Sequence, residues 1–139
     1  MQKIFLDANI CLDLLDSTRK NAKQSISWYI KHKDDTKINF YFSGDFITTF
    51  YYVLSERKKI PKDKVVQAIK ELSKEIEPIF INYQDFQQSY IDFDIQKIDD
   101  FEDLLILNSA SNFGCHTFIT NDKALLNIHR FKGMKITSY

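Results

Sequence analysis

Turn-forming residues are scarce. The 139 residues include three glycines and two prolines, which implies long regular elements joined by short loops and disfavours a sandwich or barrel with many tight turns. Cysteine is equally sparse. Cys11 and Cys115 stand alone, without zinc-type spacing and too few for a disulfide framework, so both are expected as buried thiols in a reducing compartment. Net charge is missing too: 19 Lys and Arg balance 19 Asp and Glu. Such a chain is not a generic polyanion binder, and any contact with nucleic acid must come from local patches. No hydrophobic run approaches the roughly 20 residues of a membrane span, and the first residues reach Asp7 too soon for a signal peptide. A cytoplasmic location without membrane contact is therefore expected. There is no internal repeat, low-complexity tract or linker, and the length suits one domain over residues 1–139.

Apolar residues at 44% and charged residues at 27% mark a globular chain. Its apolar runs alternate between strand and helix patterns. Strands are expected at 3–7, 38–42, 78–81, 116–120 and 135–137, the third weakened by the proline at its own edge. Helices are expected at 8–15, from Ser17 or Thr18 to His32, at 46–58, 61–76 and 84–93, and from an Asp99 or Asp100 cap to about Phe113, where Gly114 stops it. Residues 123–131 read as short helix or irregular. Core candidates are Ile26, Trp28, Tyr29 and Ile30, then Phe46, Phe50, Val53 and Leu54, then Val65, Val66, Ile69 and Leu72. Strands alternating with helices predict an α/β fold of three layers, a mostly parallel central sheet flanked by helices.

The chemistry-bearing residues are acids at element boundaries. Asp7 closes the run Ile4-Phe5-Leu6, and Asp122 follows Phe118-Ile119-Thr120 after one Asn. Asp100 and Asp103 open an apolar helix and, three apart, share one of its faces. Ligands of open α/β sheets bind outside the carboxyl ends of the strands, and carboxylates gathered there call for a divalent cation. Each acid also has an ordinary reading. Asp7 suits a helix N-cap, Asp100 and Asp103 suit a helix N-terminus, and Asn121-Asp122 suits a turn. The basic stretches Arg19-Lys20 to Lys23 and Arg57-Lys58-Lys59 to Lys64 are suited to track a phosphate backbone, though a solvated helix end is the more ordinary explanation. Trp28, Tyr29, Tyr51 and Tyr52 suit a homodimer seam or core packing equally. His32, His116 and His129 lack metal-ligand spacing, Ser43 lacks the Gly-flanked elbow of a hydrolase nucleophile, and no Gly-rich phosphate loop occurs.

Phe5-Leu6-Asp7-Ala8-Asn9-Ile10, Asp100-Phe101-Glu102-Asp103-Leu104 through Ala110, and Phe118-Ile119-Thr120-Asn121-Asp122 together resemble the PIN domain, in order and interval, over essentially the whole chain. The small size is similar to that of VapC-type toxins of bacterial toxin–antitoxin pairs. The resemblance implies a metal-dependent endoribonuclease in which Asp7, Asp100, Asp103 and Asp122 hold Mg²⁺ or Mn²⁺. Asn9 and Thr120 would orient those carboxylates. It also implies an RNA substrate, an antitoxin that inserts a basic or aromatic tail into the acidic pocket, and a homodimer. One position departs from the family pattern. Where such domains usually carry a Glu inside the helix after the second strand, this chain has Thr49, with Asp45 one turn earlier as the nearest acid and Glu56 two turns away. A catalytically weak PIN-like module that binds RNA or protein is therefore the second reading. A phosphatase with an aspartyl nucleophile at Asp7 ranks lower, because Asn9 stands where that chemistry wants a second Asp.

Overall fold

The structure, a computed structural model, describes residues 1–95 and 98–139. Strand β1 (Gln2–Leu6) leads into helix α1 (Ala8–Leu15) and, after a turn, helix α2 (Ala22–His32). Strand β2 (Ile38–Ser43) passes through a tight 3₁₀ turn (Gly44–Phe46) into α3 (Ile47–Tyr52), which widens at Val53–Arg57 before α4 (Lys62–Glu75). Then come β3 (Glu77–Ile79), α5 (Tyr83–Ile95), α6 (Phe101–Asn112), β4 (Thr117–Ile119), α7 (Lys123–Leu126), β5 (Arg130–Phe131) and β6 (Met134–Thr137).

The six strands lie in the order β3-β2-β1-β4-β6-β5, all parallel except the β5–β6 pair. The expected three-layer α/β architecture is present. Central β1 is hydrophobic on both faces because both are covered. Phe5 sits opposite Tyr41 of β2 and Phe118 of β4, and its ring stacks on Phe118 at 5.0 Å and meets Phe46 edge-on at 6.3 Å. Phe5, Leu6, Phe42, Phe50, Phe118, Leu104 and Leu107 are fully buried.

This strand order fixes the site. From β1 the chain moves one way, to β2 and then β3, and afterwards crosses back to lay β4 on the opposite side of β1. In open α/β sheets such a reversal is where a crevice forms outside the carboxyl ends of the strands, here β1 and β4. Both strand ends deliver an Asp there, and the N-terminus of α6, which leads back to the start of β4, faces the same edge.

Several local expectations are corrected. Helix α2 starts at Ala22 rather than Ser17 or Thr18. The Asp16 carboxylate accepts from both the Thr18 amide (3.0 Å) and its hydroxyl (2.6 Å), which holds the segment in a turn. The single helix expected over 46–58 is three pieces. The Ser55 hydroxyl donates to the Tyr51 carbonyl (2.6 Å) and the Lys58 amide reaches back five residues to Val53, widening the last turn. Ile30 and Val66 are exposed, unlike Tyr29, Val65 and Ile69. Residues 123–131 split into α7 and the first strand of a hairpin closed by Lys132 and Gly133, both at positive φ. Trp28 stacks on Tyr139 and meets Phe40 edge-on, with Tyr29 against the same Phe40, so this pair serves core packing. Cys11 and Cys115 are buried and free. Gly114 stops α6 at φ +91°, with its amide donating to Ser111 and the Cys115 amide to Ala110. Among the described residues no helix is long and apolar enough to cross a membrane.

Candidate active site

Asp7 leaves β1 and caps α1. One carboxylate oxygen accepts from the Ala8 amide at 2.8 Å, and the other accepts from the Thr120 hydroxyl at 2.7 Å. The backbone is clamped as well, the Asp7 amide donating to the Ile119 carbonyl at 3.0 Å. Thr120 is fully buried, and its hydroxyl accepts from the Asp122 amide at 3.0 Å. One hydroxyl thus ties the acid after β1 to the acid after β4. Asp122 caps α7 through the Ala124 amide (2.9 Å), and Asp100 caps α6 through the Asp103 amide (3.2 Å). Among the described hydrogen bonds the Asp103 carboxylate accepts none.

These acids feel one another. Desolvation pushes the Asp103 carboxyl up to about 6 from an ordinary 3.8, and the charges of Asp100, Asp122, Asp7 and Glu102 add to it. Asp7 is also raised, chiefly by desolvation and further by Asp122, against the lowering pull of Thr120 and Ala8. No ion pair among the described residues involves Asp7, Asp100, Asp103 or Asp122. The crevice therefore holds negative charge that the protein does not neutralise.

A sequence profile of the PIN domain matches residues 3–124. The chain belongs to the PIN domain family. It is 34% identical to ribonuclease VapC1 of Aquifex aeolicus over 124 residues, which is 88% of this chain and 83% of that protein. Its fold is similar to that of VapBC2 from Rickettsia felis, solved on a DNA fragment from its promoter (TM-score 0.69, 16% identity, 99% of both chains). It is also similar to Mycobacterium tuberculosis VapC20, described as a sarcin-ricin loop cleaving toxin (TM-score 0.68, 10% identity, 95% of this chain and 98% of that one). At these identities the structural likenesses speak for the fold.

In this PIN domain the acids are near enough to repel, but among the described residues no three acidic, histidine or cysteine side chains close around a common point where a metal ion could sit. Asp7, Asp100 and Asp122 each also serve as a helix cap. The donor set is nevertheless all hard carboxylate oxygen, the type Mg²⁺ and Mn²⁺ take. Mg²⁺ in particular is commonly held by one or two carboxylates, with water and substrate phosphate completing its shell. Asp103, whose carboxylate accepts no described hydrogen bond, and half-buried Asp7, whose charge bears on it, fit that mode.

The other expected positions fall elsewhere. Asp45 is turned to the edge of the sheet, where one oxygen accepts from the Ile81 amide (2.9 Å) and the Ser43 hydroxyl (3.2 Å). It is not among the charges that shift Asp7 or Asp103. Thr49 and Glu56 are exposed. Asn9 accepts from Arg19 rather than contacting a site carboxylate. A network unseen in the sequence lies beside the crevice. Buried Asp13 accepts from Arg19 Nε (2.8 Å) and the Ser25 hydroxyl (2.6 Å), Ser25 bonds the Tyr139 hydroxyl (2.9 Å), and Asn121 donates to Tyr139 (3.3 Å). The one sequence signal was Asp13 itself, an acid inside the apolar run Ile10 to Leu15.

Proposed function

We propose that this chain is a metal-dependent endoribonuclease acting as the toxin of a toxin–antitoxin pair. The observation that carries the reading is the meeting of Asp7 and Asp122 at the strand-order reversal, tied through Thr120, with the charges of Asp7, Asp100 and Asp122 bearing on Asp103. Family membership and the likeness to a VapC ribonuclease support the substrate class. Asp7 and Asp103 would hold Mg²⁺ or Mn²⁺, with Asp122 and Asp100 completing the negative field. A bound ion of this kind acidifies water and stabilises charge developing on a phosphodiester. Thr120 fixes one oxygen of the Asp7 carboxylate and holds the Asp122 backbone in step with it. This chemistry needs no Ser or His nucleophile. In our reading residues 1–139 work as one PIN-like domain in the cytoplasm, as a homodimer, inhibited by an antitoxin whose basic or aromatic tail occupies the acid-lined crevice.

The test is cleavage of RNA by the purified chain in Mg²⁺ or Mn²⁺, set against Asp7→Asn. That substitution keeps the shape and the Thr120 contact but removes a charge. The expected result is loss of cleavage with unchanged circular dichroism; cleavage retained by Asp7→Asn refutes the assignment. A second reading, a PIN-like module with weak catalysis, draws on Thr49 and on the open arrangement of the acids. Thr49→Glu separates the two, since gained metal affinity, read by calorimetry, favours the weak module and no change counts against it.

A further inference from the structure

We propose that Arg19 grips a phosphate of the RNA chain beside the crevice, its guanidinium aimed by Asp13; the inference rests on the nuclease reading. The Asp13 side chain is 3% exposed and Arg19 is 25% exposed. A carboxylate buried within α1 is costly, and an apolar residue of similar size would fill the place at less expense. Asp13 spends both oxygens on holding groups in place: one takes Arg19 Nε at 2.8 Å, the other the Ser25 hydroxyl at 2.6 Å.

That grip leaves the terminal guanidinium nitrogens pointing onward. Nη2 reaches Asn9 Oδ1 at 3.3 Å. Asn9 is exposed, in the first turn of the helix that Asp7 caps. Arg19 therefore lies over the first turn of that helix, and among the described residues its ion pair is with Asp13 rather than with the acids of the crevice. With Nε on Asp13 and Nη2 on Asn9, Nη1 is left without a described hydrogen bond, and the N–H groups of a guanidinium fixed in this way suit phosphate oxygens. The same network continues through Ser25 and Tyr139 to Asn121, the neighbour of Asp122, so the anchor of Arg19 and the acid after β4 share one frame. The need is electrostatic. The chain has no net charge to attract RNA, and the crevice is negative, so a cation at its rim has to hold the backbone there. Lys20 and Lys23, the other cations of that stretch, are exposed.

The experiment measures binding of a fluorescein-labelled, mixed-sequence single-stranded RNA 20-mer to the non-cleaving Asp7→Asn chain by anisotropy, across a KCl series and with Mg²⁺ present. Adding Arg19→Gln is expected to weaken binding about tenfold and to flatten the slope of log Kd against log salt by about 0.7. Lys20→Gln should change binding less. Asp13→Asn, a positioning change, should weaken binding while leaving the salt slope nearly intact, because the arginine keeps its charge. Binding and slope equal to the parent in Arg19→Gln, with only a lowered Tm, mean that Arg19 merely satisfies Asp13 and overturn the proposal. Should Arg19→Gln fail to fold, Arg19→Lys decides: it keeps a cation for Asp13 but lacks the fork, and parental binding by it overturns the proposal equally. A wild-type chain that cuts RNA while Arg19→Gln binds it normally sinks this inference alone. Arg19-dependent binding by a chain that never cuts RNA sinks the nuclease reading alone.

Discussion

Asp103→Asn should make the metal-free protein more stable at neutral pH, even though it alters the centre of the site. The Asp103 carboxyl titrates near 6 when folded and at an ordinary 3.8 otherwise, so the folded state holds its proton more tightly. Lowering the pH from 7 to 5 therefore favours the native state at this residue. The gain is complete below about 4 and lost as the pH rises through 6. A shift of about two units corresponds to about 3 kcal/mol for a fully buried group. Asp103 is partly exposed, and solvent screening brings this to about 1 kcal/mol, or about 3–5 °C in Tm for a chain of this length. The asparagine variant should gain that margin over wild type at pH 7, keep about half of it at pH 5 and lose it below about pH 4, since an amide mimics the protonated acid. Saturating Mg²⁺ should raise the wild-type Tm at pH 7 more than at pH 5, because protons and metal compete for the same carboxylates. Differential scanning calorimetry with EDTA and with Mg²⁺ reads all four conditions. A variant less stable than wild type at pH 7, or a difference independent of pH, refutes the claim that uncompensated repulsion is stored here.

Thr120→Val removes the 2.7 Å bond to Asp7 and leaves the Asp122 amide without its acceptor; we expect a stability loss of about 1–3 kcal/mol by urea titration and a fall in cleavage rate of about 10- to 100-fold in a gel assay. Far from the site, Asp92 is buried and accepts from Lys132 at 2.6 Å and Asn108 at 3.0 Å. Asp92→Ala should cost about 3 kcal/mol, lowering Tm by roughly 10 °C, whereas Asp92→Ala with Lys132→Met should cost less than the two single changes added together.

The sheet was readable because β1, β2 and β4 are short apolar runs with helical periodicity between them, a pattern only a covered parallel sheet accommodates. The hairpin of β5 and β6 was not, since its turn rests on Lys132 as well as Gly133 at positive φ and carries no strong turn signature. Ile30 and Val66 show the limit of periodicity: each follows a residue that is truly buried, and a helix covered on one side leaves its shoulder positions exposed. In the sequence, capping and chemistry stand as alternative readings of these acids. The structure makes Asp7, Asp100 and Asp122 helix caps and places them in one electrostatic cluster, because helices that return antiparallel to a parallel sheet put their N-termini at its carboxyl edge. Arg19 was legible as a charge but not as a direction, since its orientation depends on Asp13, a pairing across a turn that spacing cannot reveal.

A cluster of repelling carboxylates can persist only if the strands that carry it are held together by something else. Here the hold is apolar and lies one layer below. The Phe5–Phe118 stack joins β1 to β4 directly beneath Asp7 and Thr120, and Phe42 packs on Phe50 to fix β2 against α3. Burying such rings contributes several kcal/mol, more than the roughly 1 kcal/mol expected from the acids' repulsion. The acids can thus be neutralised one at a time without loss of the fold, which makes activity and stability separable in the Asp7 and Asp103 variants. The same reasoning predicts that a cavity at Phe118 unfolds the chain before it changes the chemistry: Phe118→Ala should lower stability by about 3–5 kcal/mol, and saturating Mg²⁺ should restore little of it, because the cation relieves repulsion at the crevice and fills no space in the core. Full rescue of that variant by metal would show that the carboxylates, rather than the aromatic stack, hold β1 and β4 together.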